Sequence, residues 1–105
     1  MFARIWKGAT RAEDADAYVK YLEGTGFSEY QATPGNRGVL PLRRIAGDRA
    51  EFVLVTFWDS EAAIRRFAGE DINKARYYAE DAEYLLEMPP ELEHYDVSVA
   101  SGLKL

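Results

Sequence analysis

The longest unbroken apolar pattern in the chain covers residues 51–58. Apart from Glu51, every position is apolar or β-branched, and the run is too short for an ordinary helix, so it predicts a buried strand. Side chains alternate along a strand, which gives one face Val53, Val55 and Phe57, and the other Phe52, Leu54, Thr56 and Trp58. Both faces are apolar, and we therefore expect both to be covered.

Alternation predicts three further strands. Residues 2–7 form the first strand, residues 38–45 the second and residues 94–100 the fourth. Pro41 lacks an amide donor, so the second strand belongs at the edge of the sheet. The short connection at residues 46–49 joins the second strand to the third, residues 51–58, as a hairpin.

The spacing of apolar residues predicts a helix between the first two strands. Thr10 and Glu13 have the spacing of a capping box, which predicts that a helix begins there. Its apolar face consists of Ala15, Tyr18, Val19 and Leu22. Gly24 and Gly26 disfavour a helix interior, so we expect this helix to weaken, bend or end there before it continues to about Gln31.

A second helical region follows the third strand. Asp59 and Ser60 offer caps for a helix over residues 61–68, and Gly69 ends it. A helical period then resumes at Ala75 and stops before the prolines at 89 and 90. The face predicted for that second part contains Ala75, Tyr78, Ala79, Ala82, Leu85 and Leu86.

The predicted order is βαββαβ with an interrupted second helical region, which is typical of a ferredoxin-like α+β fold. We predict one domain over residues 1–105, with a four-stranded antiparallel sheet whose first and third strands are central. Both helical regions would cover one face of this sheet. The other apolar face is most simply covered by a second copy, so we expect a homodimer.

Composition excludes several classes of function. The chain has no cysteine, which removes thiol chemistry and disulfides, and a net charge of −5 without a basic patch argues against nucleic acid. No apolar run is long enough for a membrane span and no targeting pattern is visible, which predicts a cytoplasmic protein. Walker and dinucleotide fingerprints are missing as well, so we expect no nucleotide cofactor.

The ordered set of short motifs resembles a known family. The chain resembles the antibiotic biosynthesis monooxygenase family. The resemblance is carried by Arg4-Ile-Trp6, residues 34–39, residues 51–53 with Phe57-Trp-Asp-Ser60, residues 67–71 and residues 94–97. The resemblance covers nearly the whole chain. It implies two ferredoxin-like subunits whose sheets face each other as a dimeric α/β barrel, with a pocket between sheet and helices in each subunit.

The haem-degrading branch of that family provides a contrast. It uses an Asn on the first strand, and a Trp followed by a His in the second helical region. In this chain the first strand has no Asn, Phe67 stands at the matching aromatic position, and Tyr77 and Tyr78 follow without a His. Trp58 lies on a strand and does not replace the missing Trp. Haem degradation is therefore disfavoured, and we predict no cofactor.

His94 is the only imidazole in the chain and the natural catalytic base if there is one. Asp96 lies two residues further on the same strand face and could orient the ring, or it is a solvated charge. The alternative for His94 is a structural role at the start of a strand. One His among scattered carboxylates gives no metal-ligand spacing, so we predict no metal site.

The predicted substrate-binding residues are mostly aromatic. They are Arg4, Trp6, Trp58, Phe67 and Tyr77. The two Trp residues could form the wall of a pocket for an aromatic ligand, or simply pack in the core or at the dimer interface. Tyr77 and Tyr78 would point to opposite sides of a helix, so at most one would line a pocket. Arg4 on a central strand needs an anionic partner, either a substrate oxygen or Glu51.

Two functions fit these features. The first is a cofactor-independent monooxygenase that acts on a small aromatic, quinol or polyketide-like compound. The second is a non-catalytic, dimeric ligand-binding or accessory protein of the same fold, because a fold alone does not determine function.

Overall fold

The computed structural model describes residues 1–104, which form an antiparallel sheet with helices packed against one face. The elements are β1 (Phe2–Arg11), α1 (Ala15–Gly24), α2 (Gly26–Ala32), β2 (Asn36–Ala46), β3 (Arg49–Trp58), α3 (Glu61–Ala68), α4 (Asp81–Tyr84), β4 (Leu85–Glu87) and β5 (Glu93–Asp96). A 3₁₀ turn, Ala12–Asp14, precedes α1. In this part of the chain no helix has the length and apolarity needed to cross a bilayer.

The sheet has the predicted ferredoxin-like arrangement. β1 and β3 pair along their whole length, from Phe2 opposite Trp58 to Arg11 opposite Arg49. β2 lies at the edge beside β3, and β4 and β5 share the other edge beside β1. Pro41 therefore lies on an edge strand, as its missing amide donor predicted.

The two faces of β3 differ in burial. Ala50, Phe52, Leu54, Thr56 and Trp58 are between 0% and 4% exposed, whereas the residues between them are only half-buried. The helices thus cover one face of the sheet, as predicted.

The opposite face of the sheet is open and apolar. Val55 lies between Leu40 of β2 and Ile5 of β1, and Phe57 lies opposite Ala3. Within the single chain nothing among residues 1–104 packs over these side chains as the helices do over the other face. We expected both faces to be covered, and the chain itself covers only one of them.

The predicted capping box at Thr10 is wrong. Thr10 is a fully buried residue of β1, and its hydroxyl donates to the Arg11 carbonyl rather than accepting from helix amides. Because β1 remains paired with β3 as far as Arg11, the sheet ladder takes precedence over the local capping signal. The α-helix begins later, at Ala15.

The predicted interruption of the first helix is confirmed. α1 ends at Gly24, and Thr25 has φ −123° and ψ −92°, outside the helical region. The Thr25 hydroxyl donates to the Tyr21 carbonyl at 2.8 Å, which satisfies an acceptor left free at the helix end. α2 then continues to Ala32, close to the predicted end.

α3 begins and ends as predicted. The Ser60 hydroxyl caps it by accepting from the Ala63 amide at 3.1 Å. Gly69 follows its last residue with φ 89°, a conformation that glycine adopts readily.

The helix predicted from Ala75 to Leu86 is mostly absent. Only Asp81–Tyr84 is helical, and residues 69–80 form an irregular segment, which we call the cover segment. Its backbone is paired elsewhere, because the Ala75 amide donates to Pro90 O at 2.8 Å and the Leu92 amide donates to Asn73 O at 3.1 Å. A helix beginning at Ala75 would join the Lys74 carbonyl to the Tyr78 amide, but Arg4 donates to Lys74 O at 3.2 Å and the Tyr78 amide donates to Asp81 Oδ2 at 2.6 Å.

The single fourth strand predicted at residues 94–100 is also wrong in detail. β5 ends at Asp96, and the same edge of β1 is shared with β4, which pairs with Ala9 and Thr10. Pro89 and Pro90 lie between the two short strands and lack the amide donors that a continuous ladder requires. The Val97 amide still donates to Met1 O at 2.9 Å, after which regular pairing stops.

Candidate functional site

A cavity lies between the covered face of the sheet and the helices, and residues 76–78 of the cover segment form part of its wall. Its lining residues come from every layer of the fold: Arg4, Trp6, Tyr18, Leu22, Gly26, Tyr30, Leu54, Thr56, Phe67, Arg76, Tyr77, Tyr78, Asp81 and Leu92. The cavity volume is about 40 Å³. This holds a few water molecules, whereas a cavity that binds benzene measures about 150 Å³. An aromatic ligand therefore needs the cover segment to move.

Arg4 brings a buried positive charge to the cavity. It lies on the helix-facing side of β1 and is 4% exposed. Its Nη1 donates to Ile72 O at 2.5 Å and to His94 Nε2 at 2.9 Å, and its Nη2 donates to Lys74 O at 3.2 Å. No carboxylate within residues 1–104 forms an ion pair with it.

Burial lowers the pKa of Arg4. Desolvation lowers the pKa of its guanidinium to about 10, and the neighbouring Tyr30 opposes this shift. Glu51, the alternative partner considered from the sequence, instead pairs with Arg44 at 2.7 Å on the opposite face of the sheet. The positive charge is therefore available to an anionic ligand oxygen.

His94 lies beside Arg4 because β5 pairs with β1 in the register that puts the two residues opposite each other. A guanidinium can only donate, so His94 Nε2 is the acceptor and the ring proton is on Nδ1. Burial, followed by the charge of Arg4, lowers the pKa of His94, while Glu61 opposes the shift. His94 does not line the cavity. No hydrogen bond joins it to Asp96 in the described part of the chain.

Trp6 and Tyr77 form a hydrogen-bonded pair at one wall of the cavity. Trp6 Nε1 donates to the Tyr77 hydroxyl at 2.9 Å, and that hydroxyl donates to Pro89 O at 2.6 Å. The indole lies across Gly8, where an added Cβ would be 2.2 Å from the Trp6 ring. Gly8 thus makes room for the indole, and Trp6 in turn anchors the cover segment through Tyr77.

Phe67 and Trp58 lie at different depths. Phe67 borders the cavity and packs on Tyr30 with ring centroids 4.7 Å apart. Trp58 is fully buried behind these two rings, does not line the cavity, and donates from Nε1 to the Thr56 hydroxyl at 2.9 Å. Of the five predicted substrate-binding residues, the structure brings together Arg4, Trp6, Phe67 and Tyr77, with Trp58 one layer behind.

Tyr77 and Tyr78 both border the cavity, so the prediction that at most one would do so is wrong. That prediction assumed a helix, and the cover segment is not helical. Arg76 lies between Phe67 and Glu29: it donates to Phe67 O at 2.7 Å and forms an ion pair with Glu29 at 2.5 Å.

Sequence reasoning missed Tyr18, Tyr30 and Asp81. The two tyrosines occur on predicted helices, where their period suggested only core packing. Asp81 is 4% exposed, and its Oδ2 accepts from the Tyr78 amide at 2.6 Å. Its position three residues after Tyr78, at the start of a short helix, is the available signal, but acids in a first helical turn are common at the surface.

A haem group would need an iron ligand from the residues near the cavity. The imidazole has its Nε2 lone pair engaged by Arg4 and its proton on Nδ1, so it has no free nitrogen for iron. Residues 1–104 also contain no group of three or more acidic or His side chains arranged to hold a metal ion.

Known structures share this fold over nearly the whole chain. Two proteins described as "putative antibiotic biosynthesis monooxygenase" both match with a TM-score of 0.66: one from Nitrosomonas europaea at 16% identity, covering 94% of this chain and 100% of its own, and one from Bacillus cereus at 14% identity, covering 97% of each. The haem-degrader MhuD from Mycobacterium tuberculosis, solved with two haems in its active site, matches with a TM-score of 0.61 at 17% identity, covering 97% of this chain and 100% of its own.

The comparisons confirm the resemblance at the level of the fold. No family model matches the sequence, and no curated protein matches it. The chain has the ferredoxin-like fold of antibiotic biosynthesis monooxygenase proteins. Identities below 20% leave substrate and chemistry to be argued from the site itself.

Proposed function

We propose that this protein is a cofactor-independent monooxygenase that acts on a small aromatic substrate of the quinol, phenol or polyketide-like class. The observation that supports this most directly is Arg4. A guanidinium that is 4% exposed, without a carboxylate partner within residues 1–104 and beside Phe67 and Tyr30, favours an anionic aromatic ligand.

The chemistry needs no redox group from the protein. A CH₂ group flanked by aromatic rings loses a proton to give an anion whose charge is shared with a ring oxygen. That anion reacts with dioxygen, and the CH₂ becomes a C=O group while the second oxygen atom leaves as water. The two C–H bonds supply the electrons and both hydrogens of that water. The protein stabilises the anion and excludes solvent.

Arg4 is placed to stabilise this anion, because a buried cation favours the ionised form of a bound phenol or enol. Phe67, Trp6 and Tyr77 supply the flat apolar walls that an aromatic ring requires. Entry of the substrate displaces the cover segment, whose anchors to the sheet are the hydrogen bonds that Arg4 donates to Ile72 O and Lys74 O and the one that Trp6 donates to the Tyr77 hydroxyl. On release of Ile72 O and Lys74 O, the guanidinium is free to donate to the substrate oxygen.

The test is oxygen uptake with a panel of quinols, phenols and anthrone-type compounds, without added metal or cofactor. Arg4→Met should lower kcat/KM about 10- to 150-fold, which corresponds to loss of a charged hydrogen bond of about 1.5–3 kcal/mol. Arg37→Met is the matched control, because Arg37 is exposed and paired with Asp59. Unchanged turnover in Arg4→Met with correct folding contradicts the proposal.

A second candidate is a ligand-binding protein without catalysis. The specific observation in its favour is that His94, the base expected from the sequence, does not line the cavity. This candidate predicts saturable binding of an aromatic anion that depends on Arg4, with no oxygen uptake for any compound bound.

We also propose that the protein is a homodimer formed through the open sheet face. That face carries Leu40, Val55, Phe57 and Ile5, and an apolar patch of this kind marks an interaction site. The same face on a second copy is a complementary cover. Sedimentation at micromolar concentration should give twice the chain mass of 11.9 kDa. A stable monomer contradicts this part of the proposal.

A further inference from the structure

Asp81 is a buried carboxylate that no sequence pattern singles out. It is the one acidic residue among those that line the cavity, and it is 4% exposed. Although Arg4 lines the same cavity, the two do not form an ion pair, and no other cation within residues 1–104 pairs with Asp81. The cavity therefore has a cation and a carboxylate that do not neutralise each other directly.

The two oxygens of Asp81 have different surroundings. Oδ2 accepts from the Tyr78 amide at 2.6 Å, which fixes the carboxyl group at the start of α4. Oδ1 accepts no hydrogen bond from the described residues and, unlike the Tyr21 hydroxyl, is not a fully enclosed atom without a partner, and Asp81 borders the cavity. A carboxylate held by one oxygen with the other open to a ligand is arranged to accept a proton.

The groups around Asp81 favour such a role. Burial raises the pKa of this carboxyl, Glu80 on the same stretch adds to the rise, and Tyr21 of α1 offsets part of it. The Tyr21 hydroxyl lies near the carboxyl, but its geometry falls short of a hydrogen bond. Tyr18 of α1 and Tyr30 of α2 also face Asp81, and its charge helps to raise the pKa of both phenols after burial.

The other candidate bases are occupied or unsuited. His94 Nε2 accepts from Arg4, so it has no lone pair for a substrate proton. Burial raises the pKa of Tyr18, Tyr30 and Tyr77, and a neutral phenol is a poor proton acceptor.

We propose that Asp81 is the proton acceptor of the cavity: Oδ1 takes the acidic C–H or O–H proton of a bound aromatic compound, and the electron pair remains on the substrate oxygen held by Arg4. This inference rests on the proposed function for its role in turnover. The substrate class is narrowed accordingly to compounds that carry an acidic proton and an oxygen at separated positions on one aromatic framework.

Asp81→Asn tests the inference during turnover, because the amide keeps an oxygen to accept from Tyr78 but cannot take a proton. With an anthrone-type compound, its kcat should fall about 10²- to 10⁴-fold while KM stays within a factor of about three. In wild type, kcat/KM should rise with pH as the Asp81 carboxyl loses its proton, and in Asp81→Asn this rise should be absent. Glu83→Gln, an exposed neighbour on α4, is the control and should behave as wild type.

A second measurement does not depend on oxygen chemistry. Above the pKa of free 4-nitrophenol, binding of the phenolate beside Asp81 should take up close to one proton in wild type and none in Asp81→Asn. Calorimetry in buffers of different ionisation enthalpy measures this number. Equal proton uptake in the two proteins, or a kcat in Asp81→Asn within a factor of about three of wild type, overturns the role of Asp81.

The two proposals can fail separately. If the wild-type protein takes up a proton with 4-nitrophenolate but consumes no oxygen with any compound, the monooxygenase proposal fails and the role of Asp81 is supported. If oxygen is consumed and Asp81→Asn is fully active, the monooxygenase proposal is supported and the role of Asp81 fails. If 4-nitrophenolate does not bind wild type at all, the inference about Asp81 is overturned.

Discussion

The two tryptophans provide a sharp test of the site, because each indole N–H has one partner and the two partners belong to different layers. Trp58 is fully buried and donates to Thr56, behind the rings that face the cavity. Trp6 lines the cavity and donates to Tyr77 of the cover segment. Trp58→Phe and Trp6→Phe make the same chemical change in the core and at the site.

For Trp58→Phe we expect a loss of stability without a loss of binding. The missing hydrogen bond costs about 1 kcal/mol. The void left by the second ring adds about 1 kcal/mol in a site that is closed on all sides. A total of about 2 kcal/mol lowers the melting temperature of a domain of this size by about 8–16 °C.

Fluorescence separates the two variants, since the chain has two Trp residues and each variant retains one. In Trp58→Phe the remaining Trp6 reports on the cavity, and its emission should change when an aromatic anion binds. In Trp6→Phe the remaining Trp58 reports on unfolding, and ligand affinity should fall. If Trp58→Phe weakened binding at unchanged melting temperature, the assignment of Trp6 to the site and Trp58 to the core would be refuted.

Three further predictions address the open face, the imidazole and the cover segment. Val55→Asp should give a folded monomer in sedimentation, whereas Thr56→Asp, on the covered face and 2% exposed, should unfold the chain; two folded dimers would contradict both assignments. The pKa of His94 is lowered on folding, so the unfolded chain binds the proton more tightly. The free energy of unfolding should therefore fall as pH drops from about 6.5 through the folded pKa. Urea unfolding at several pH values measures this dependence, and His94→Gln should remove it. Tyr77→Phe removes two hydrogen bonds and should cost about 1–2 kcal/mol and speed amide exchange in the cover segment, unlike Tyr95→Phe at the exposed edge.

The sheet was predictable because alternation is a direct consequence of strand geometry. The pattern of residues 51–58 correctly indicated a central strand, and Pro41 correctly indicated an edge. The same alternation on β1 placed Arg4 and Trp6 on one face, which the structure turns towards the helices. Arg4 and Trp6 could be proposed for the site because strand alternation depends only on neighbouring residues in the sequence.

The region from 69 to 87 was not predictable by the same means. Its apolar spacing fits a helix, yet its backbone groups are taken by Arg4, by residues 90–92 and by the Asp81 side chain. Such partners lie far away in sequence, or depend on a turn that propensity does not reveal. The place of Asp81 in the cavity depends on this tertiary arrangement, whereas the contact between His94 and Arg4 depends on the register in which β5 pairs with β1. Local spacing in the sequence indicates neither.

The open face of the sheet also has a consequence for how the protein is handled. If a second copy covers Val55 and its neighbours, the free energy of unfolding includes the free energy of association, and it depends on protein concentration. The melting temperature should then rise as the sample is concentrated. Dilution into a nanomolar assay would separate the subunits and expose the central strand, so a loss of activity on dilution would reflect dissociation before any property of the cavity.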